Sequence, residues 1–95
     1  MTETAEAIIV GAGVQGASLA FHLAERGMRP LVLERATVAA GATGRSSGVV
    51  RMHYDVEAEA RLAWRSHAYF CDWAQRIGGD SDFTVVGFLQ MVPPA

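Results

Sequence analysis

Residues 7–16 read AIIVGAGVQG, and this stretch decides the fold. Its first four residues are apolar, mostly β-branched, and stop at a glycine, which predicts a short strand buried on both faces. From Val14 the apolar residues recur at helical spacing, and the pattern ends at Gly27. The turn between strand and helix has the GxGxxG spacing, carried by Gly11, Gly13 and Gly16.

Each glycine of this turn suits a different need of dinucleotide binding. The first allows a tight turn, the second lets the backbone approach a pyrophosphate, and the third lets the helix pack close to the strand. The start of the helix adds unpaired N–H groups and a positive dipole end. The predicted contacts to the dinucleotide are Gly11, Gly13, Val14, Gln15 and Gly16. A glycine-rich turn that serves packing alone is the alternative.

A second apolar run, beginning at Leu31, ends on Glu34. Two short strands joined by a helix predict a right-handed βαβ unit with parallel strands. Glu34 follows Gly16 by 18 residues, close to where the dinucleotide fingerprint has a carboxylate for ribose hydroxyls. A carboxylate there opposes the 2′-phosphate of NADP, although Arg35 beside it is a counter-argument.

The rest of the chain alternates loop, helix and strand patterns. Residues 35–48 are rich in glycine, serine and threonine, which predicts a loop with available backbone N–H groups. Asp55 is the predicted N-cap of a long helix that runs to Ile77. Residues 83–92 are typical of a further strand that is interrupted by Gly87. Two adjacent parallel strands do not complete a sheet, so we expect more strands after Ala95 and expect residues 1–95 alone to fold poorly.

Composition excludes several classes of protein. The chain is 51% apolar and 19% charged, which is typical of a globular protein, and its formal net charge is −2. No basic patch is available for nucleic acid or for a membrane surface. Residues 7–24 lack formal charge with His22 neutral, but glycines interrupt them and acidic residues precede them, so we predict no membrane segment. Cys71 is the sole cysteine, which predicts no disulfide, no metal site and a cytoplasmic location.

The loop after Glu34 carries short polar donors and a positive charge. Hydroxyls, backbone N–H groups and a guanidinium suit phosphate or flavin oxygens. The candidate residues are Thr43, Gly44, Arg45, Ser46, Ser47 and Gly48. A surface turn without a ligand is the alternative, and the position of the loop directly after the predicted ribose-binding strand favours a binding role.

Together with the glycine fingerprint and Glu34, the run GATGRSSGVVR, residues 41–51, resembles the D-amino-acid-oxidase-like FAD-dependent oxidoreductases. The similarity extends over the whole chain and is greatest to the sarcosine oxidase β subunit, monomeric sarcosine oxidase and glycine or dimethylglycine oxidase branch. The resemblance implies FAD as the cofactor. It also implies an α/β fold with a Rossmann-like FAD/NAD(P)-binding βαβ unit, the amino-terminal part of a two-domain flavoprotein. Residues 1–95 would be its FAD-binding domain, with the substrate domain starting near 83–95.

The same resemblance assigns a role to Arg51, which matches the arginine that binds the substrate carboxylate over the flavin. A guanidinium suits that role because its planar fork meets a carboxylate with two parallel bonds. The alternative is an arginine paired with Asp55, Glu57 or the cofactor. His53 and Tyr54 follow closely, and either is a candidate polar contact or proton acceptor.

The resemblance therefore implies an oxidoreductase that oxidises the C–N bond of an amino acid or N-methylated amino acid by hydride transfer to flavin. Its partner would be a small-molecule amine or amino acid, with the rest of the polypeptide required and partner subunits left open. Another flavoprotein with the same amino-terminal unit, such as a hydroxylase or dehydrogenase, is one alternative. A non-catalytic FAD-binding subunit is a second, and a plain NAD dehydrogenase, which would not need the loop, is a third.

Overall fold

The structure, a computed structural model, describes residues 4–95. The chain divides into two compact units, one ending at Gly48 and the other spanning Val49–Ala95. The regular elements, in chain order, are β1 (Ala7–Val10), α1 (Val14–Glu25), β2 (Pro30–Leu33), a 3-10 turn (Thr43–Arg45), α2 (Glu57–Cys71) and α3 (Trp73–Arg76).

The first unit is a βαβ arrangement. Strands β1 and β2 pair in parallel, with Ala7 opposite Pro30 and Val10 opposite Leu33. Helix α1 connects them and packs against both. The predicted α/β fold with a Rossmann-like unit is confirmed, and Glu34 is the first residue after β2.

Helix α1 ends in a tight reversal that leads into β2. The N–H of Gly27 donates to the Ala24 carbonyl at 2.9 Å, and the N–H of Met28 donates to the Leu23 carbonyl at 3.1 Å. These paired bonds satisfy carbonyls that a helix end otherwise leaves without partners. The predicted stop at Gly27 is therefore confirmed.

Only one face of the two-stranded sheet is covered within the first unit. Ile9 points toward α1 and is 7% exposed, and Ala12 in the following turn is 9% exposed. Apolar side chains on the opposite face are exposed, namely Ile8, Val10, Leu31 and Leu33. The prediction that the first strand is buried on both faces is wrong for this unit, because α1 packs on one side of the sheet alone.

The second unit contains a helix that differs from the sequence prediction at both ends. Helix α2 begins at Glu57 with Val56 as its N-cap, so the prediction of Asp55 as N-cap is wrong. Two glutamates in the first turn stabilise this end through the helix dipole instead. The predicted continuous helix is also interrupted at Asp72, whose φ of −126° and ψ of 39° are not helical. Aspartate is a weak helix former, and the Asp72 carboxylate pairs with Arg76 on the far side of the break at 3.5 Å.

Residues 83–92 do not form a strand, so that prediction is wrong as well. No strand within residues 4–95 pairs with them, and Gly87 has a φ of +81°, which interrupts an extended chain. Phe83 instead packs its ring 5.4 Å from that of Phe70 on α2. Across residues 4–95, none of the helices is long and apolar enough to cross a membrane.

Substitution of Gly16 by alanine tests the close packing of α1 on the turn. An added Cβ would overlap the Gly11 carbonyl oxygen and lie 3.3 Å from Cγ2 of Ile9. Because backbone atoms cannot move aside cheaply, we expect Gly16→Ala to lower the free energy of unfolding by about 1–3 kcal/mol. Urea denaturation of the full-length protein measures this loss.

The matched control is Gly41→Ala, since a Cβ at Gly41 would meet no atom within 4 Å. We expect this variant to keep the wild-type unfolding midpoint. Equal losses for the two variants would contradict the packing role of Gly16, because the reduced backbone entropy of the unfolded chain would by itself favour the alanine variants.

Candidate functional site

The turn after β1 carries the glycine fingerprint. The N–H of Gly11 donates to the Leu33 carbonyl at 2.7 Å, which extends the strand pairing by one bond. The φ of Gly11 is +104°, a conformation that side chains disfavour, so the tight turn predicted here requires glycine. Gly16 lies against the Gly11 carbonyl, as the packing role of the third glycine predicts.

The N-terminus of α1 presents free donors. Gly13 is the N-cap and makes no side-chain capping bond. Within residues 4–95, the N–H groups of Gly13, Gln15 and Gly16 donate to no acceptor, as expected for a first helical turn. The N–H of Val14 donates to Oγ1 of Thr43 at 2.9 Å. That hydrogen bond holds Thr43, the first residue of the 3-10 turn, at the N-terminus of α1.

Glu34 is held against the same turn. One carboxylate oxygen accepts the N–H of Ala12 at 2.9 Å, and the other accepts the N–H of Ala36 at 3.0 Å. These bonds favour the charged form, with the Ala12 bond contributing most, and so lower the pKa of Glu34 below its ordinary value of 4.5. An ionised carboxylate keeps further lone pairs, so it can accept ribose hydroxyls as well.

The loop predicted to bind the cofactor is fastened to the turn at its start. The N–H of Ala39 donates to the Ala12 carbonyl at 3.0 Å, and the Ala39 carbonyl accepts the N–H of Gly44 at 2.9 Å. Ala39 has a φ of +62°, which is costly for a residue with a side chain and persists because both of its backbone groups are bonded. Farther along, Oγ of Ser46 accepts the N–H of Gly48 at 3.1 Å.

Three other predicted loop residues lie on the surface. Arg35, Arg45 and Ser47 are exposed, and their side chains make no hydrogen bond or ion pair within residues 4–95. The structure therefore brings together the glycine turn, Glu34 and Thr43, and leaves these three side chains pointing to solvent.

Arg51, His53 and Tyr54 belong to the second unit. The guanidinium carbon of Arg51 lies 5.1 Å from the centre of the Tyr54 ring. Among the described residues Arg51 has no carboxylate within ion-pair distance, and Glu57 pairs with Arg61 at 2.7 Å. The alternative of an internal salt bridge with Asp55 or Glu57 is therefore not observed.

The ring of His53 stacks on that of Phe88, with centres 5.2 Å apart and planes 25° apart. Stacking covers one face of the imidazole, while its two nitrogens lie on the ring edge. His53 thus remains able to make a polar contact.

Three alanines contribute backbone groups that sequence reasoning did not single out. Ala12 and Ala36 donate to Glu34, and Ala39 connects the turn to the loop. Their side chains carry no chemical signal, because any residue supplies the same N–H and C=O groups. The available signal is the position of Ala12 inside GxGxxG and the run of small residues 39–42.

These features fit a dinucleotide. Free N–H groups at a helix N-terminus suit a pyrophosphate, and an ionised carboxylate at the adjacent strand end suits a ribose. Within residues 4–95, no group of three or more His, Cys, Asp or Glu side chains could hold a metal ion.

Comparison with known proteins extends this interpretation. The profile of the family described as "DAO: FAD dependent oxidoreductase" matches residues 6–94. Dimethylglycine dehydrogenase, mitochondrial, from Rattus norvegicus is 39% identical over 64 residues, which cover 56% of the chain and 8% of that protein. One subunit of the anaerobic glycerol-3-phosphate dehydrogenase from Escherichia coli (strain K12) is 41% identical over 49 residues, or 52% of the chain and 9% of that protein.

A third relative is the tRNA 5-methylaminomethyl-2-thiouridine biosynthesis bifunctional protein MnmC from Pseudomonas entomophila (strain L48), 32% identical over 89 residues. The match covers 90% of the chain and 14% of the relative, so the chain spans about a seventh or less of these three proteins. No solved structure matches the chain. Since the family profile covers nearly every residue, the chain belongs to the DAO family of FAD-dependent oxidoreductases, and FAD as the predicted cofactor is confirmed.

Proposed function

We propose that this chain is the FAD-holding part of an oxidoreductase that oxidises the C–N bond of an amino acid or N-methylated amino acid, of the sarcosine or glycine type. The observation that carries the proposal is Arg51, a guanidinium with no carboxylate partner among the described residues. A relative whose name specifies dimethylglycine supports the same substrate class.

The cofactor contacts follow from the donors and acceptors of the first unit. The N–H groups of Gly13, Gln15 and Gly16 would bind the pyrophosphate. The hydroxyl of Thr43 accepts the Val14 N–H and so has its own hydrogen left to donate to a phosphate oxygen. Glu34 would accept the ribose hydroxyls.

Arg51 would orient the substrate. It follows Gly48 by three residues, so their Cα atoms are at most about 11 Å apart, whatever path the chain takes. This short covalent connection supports a role for Arg51 beside the cofactor loop. Its planar fork would fix the substrate carboxylate at two points, which also fixes the α-carbon.

When bound, FAD would supply the oxidising power that removes the α-hydrogen and two electrons from the substrate C–N unit. The residues of this chain would position the two reactants. The N-terminus of α1 and Glu34 would hold the cofactor, and Arg51 would hold the substrate. His53 is a candidate polar contact near that substrate, through the ring nitrogens that its stacking on Phe88 leaves at the edge.

A second candidate function has an observation of its own. The relative named as an anaerobic glycerol-3-phosphate dehydrogenase is 41% identical over 49 residues. An arginine fork binds phosphate as well as carboxylate, so Arg51 would serve a phosphorylated alcohol equally well. A non-catalytic FAD-binding subunit is the third candidate, and it would retain the flavin without any turnover.

We also propose a small-molecule amine or amino acid as the partner and the cytoplasm as the location. The net charge of −2 supports a small ligand over a nucleic acid, and the single cysteine supports a reducing compartment. The rat relative is named a mitochondrial protein, so fractionation of the native protein should separate the two locations.

The role of Glu34 predicts a loss of FAD affinity on substitution. In the full-length protein, Glu34→Gln removes the charge that strengthens bonds to ribose hydroxyls and should weaken FAD binding on the order of 10-fold. Titration of the apoprotein with FAD, followed by flavin fluorescence, measures this change. Glu59→Gln, on an exposed turn of α2, is the control, and an equal loss there would contradict the assignment.

The lowered pKa of Glu34 predicts how its contribution depends on pH. The hydrogen bonds to ionised Glu34 contribute fully above its ordinary pKa of 4.5 and are lost as pH falls through the lower folded-state pKa. We therefore expect the Tm difference between wild type and Glu34→Gln to stay constant between pH 7 and 5 and to shrink in acid. Thermal unfolding in matched buffers measures it. A difference that already shrinks between pH 7 and 5 would indicate a raised pKa.

Replacement of Arg51 tests the substrate class. Arg51→Ala should lower kcat/KM on the order of 10- to 100-fold for an amino acid, and Arg51→Lys should lower it less because the charge remains. For an amine that lacks the carboxylate, kcat/KM should fall little in Arg51→Ala, since that substrate makes no contact with Arg51. The measurement is kcat/KM for such a matched pair, with flavin occupancy checked. Equal losses of kcat/KM for the amino acid and the amine would contradict the carboxylate role of Arg51. A loss of kcat/KM confined to a phosphorylated alcohol would favour the second candidate function.

A further inference from the structure

We infer that Tyr54 is the positioning residue of Arg51, holding the guanidinium against its ring face so that the N–H groups stay directed at the substrate anion. The inference rests on the proposed function, because that anion is the substrate's. The observation is the 5.1 Å distance between the guanidinium carbon and the Tyr54 ring centre. Distances below about 6 Å are typical of a cation–π attraction.

A contact with an aromatic ring differs from an ion pair because it leaves the N–H groups and the charge of the guanidinium available to a ligand. The five N–H groups of arginine lie in the guanidinium plane, whereas a cation over an aromatic ring is attracted by the face of the ring. A carboxylate partner would occupy those N–H groups and cancel the charge. An aromatic partner restrains the side chain and keeps both the donors and the charge for a ligand.

Arg76 provides the contrast within the same unit. Its guanidinium carbon lies 4.8 Å from the centre of the Tyr69 ring, so it makes a similar aromatic contact. It also pairs with Asp72, with 3.5 Å between Nε and the carboxylate oxygen. Arg51 has the aromatic contact without the carboxylate. The two arginines therefore differ in whether a carboxylate of the protein already occupies the guanidinium, which decides whether it can bind an external anion.

The local chain explains why Arg51 needs such a restraint. Residues 46–56 belong to no helix or strand, so no regular element limits the rotamers of Arg51. A free arginine loses much side-chain entropy when it binds a ligand. Tyr54, which is 38% exposed, removes part of that freedom beforehand and leaves the site accessible.

The experiment uses the full-length, FAD-loaded protein and two probes of similar shape, acetate with a carboxylate and acetamide without one. Calorimetry gives the Kd of each probe for wild type, Tyr54→Leu and Tyr54→Phe. We expect Tyr54→Leu to weaken acetate binding about 2- to 5-fold, the range of a cation–π contact at an exposed site. Tyr54→Phe keeps the ring and should retain most of the affinity, and acetamide should bind alike throughout.

Two further variants complete the test. Tyr69→Leu is the matched control, since it removes a tyrosine from under another arginine and should leave acetate binding unchanged. Tyr54→Met keeps side-chain bulk without a ring, and it replaces Tyr54→Leu if that variant loses flavin. We expect it to weaken acetate to the same extent.

The outcomes separate this inference from the proposed function. Normal acetate affinity in Tyr54→Leu or Tyr54→Met, together with weakened affinity in Arg51→Ala, would overturn the positioning role alone. Equal losses in Tyr54→Phe and Tyr54→Leu would also overturn it, because the hydroxyl and not the ring would then be responsible. Unchanged acetate affinity in Arg51→Ala would overturn the proposed function, and the role of Tyr54 with it.

Discussion

The close approach of Gly16 to the Gly11 carbonyl is the constraint on which the first unit depends. No Cβ fits between these two backbone segments, so α1 can start directly beside the end of β1. That position directs the first N–H groups of α1 to the carboxyl end of the sheet, where β2 delivers Glu34. Ligands of open parallel sheets bind at this edge because helix N-termini and strand ends meet there.

Backbone N–H groups of the glycine turn then fix the positions of the Glu34 and Thr43 side chains. Glu34 lies 22 residues from Ala12 along the chain, and Thr43 lies 29 residues from Val14, yet each pair is joined by a 2.9 Å hydrogen bond. Because the partners are N–H groups of the glycine turn itself, Glu34 and the Thr43 hydroxyl are positioned by the same segment whose free N–H groups are the proposed donors to phosphate. The first unit thus links folding to cofactor binding.

The sequence predicted the parts of the fold that depend on local chemistry. The glycine spacing, two apolar runs and a carboxylate at the end of the second run are visible without a structure, and they predicted the βαβ unit and a dinucleotide ligand. FAD in particular was implied by the family resemblance that residues 41–51 carry together with these features. The strand predicted for residues 83–92 failed because a strand needs a partner, and apolar alternation cannot reveal whether one exists. The N-cap of α2 was missed because Asp55 is a common capping residue, yet the helix begins two residues later with no side-chain cap bond. The break at Asp72 was missed because the helical spacing of the apolar residues continues through it. The backbone contacts of Ala39 were invisible because its side chain has no part in them.

The arginines of the chain differ in the kind of partner that their guanidinium groups contact. Arg29, Arg61 and Arg76 each have a carboxylate within 4 Å, and such exposed pairs contribute little beyond local order. Arg51 instead has an aromatic face, which attracts a cation without neutralising it. A protein that must bind an anion gains from that choice, because a salt bridge would first have to break. Under the proposed function, selectivity for carboxylate over phosphate would come from the shape around Arg51 and not from its charge, since both anions suit the same fork.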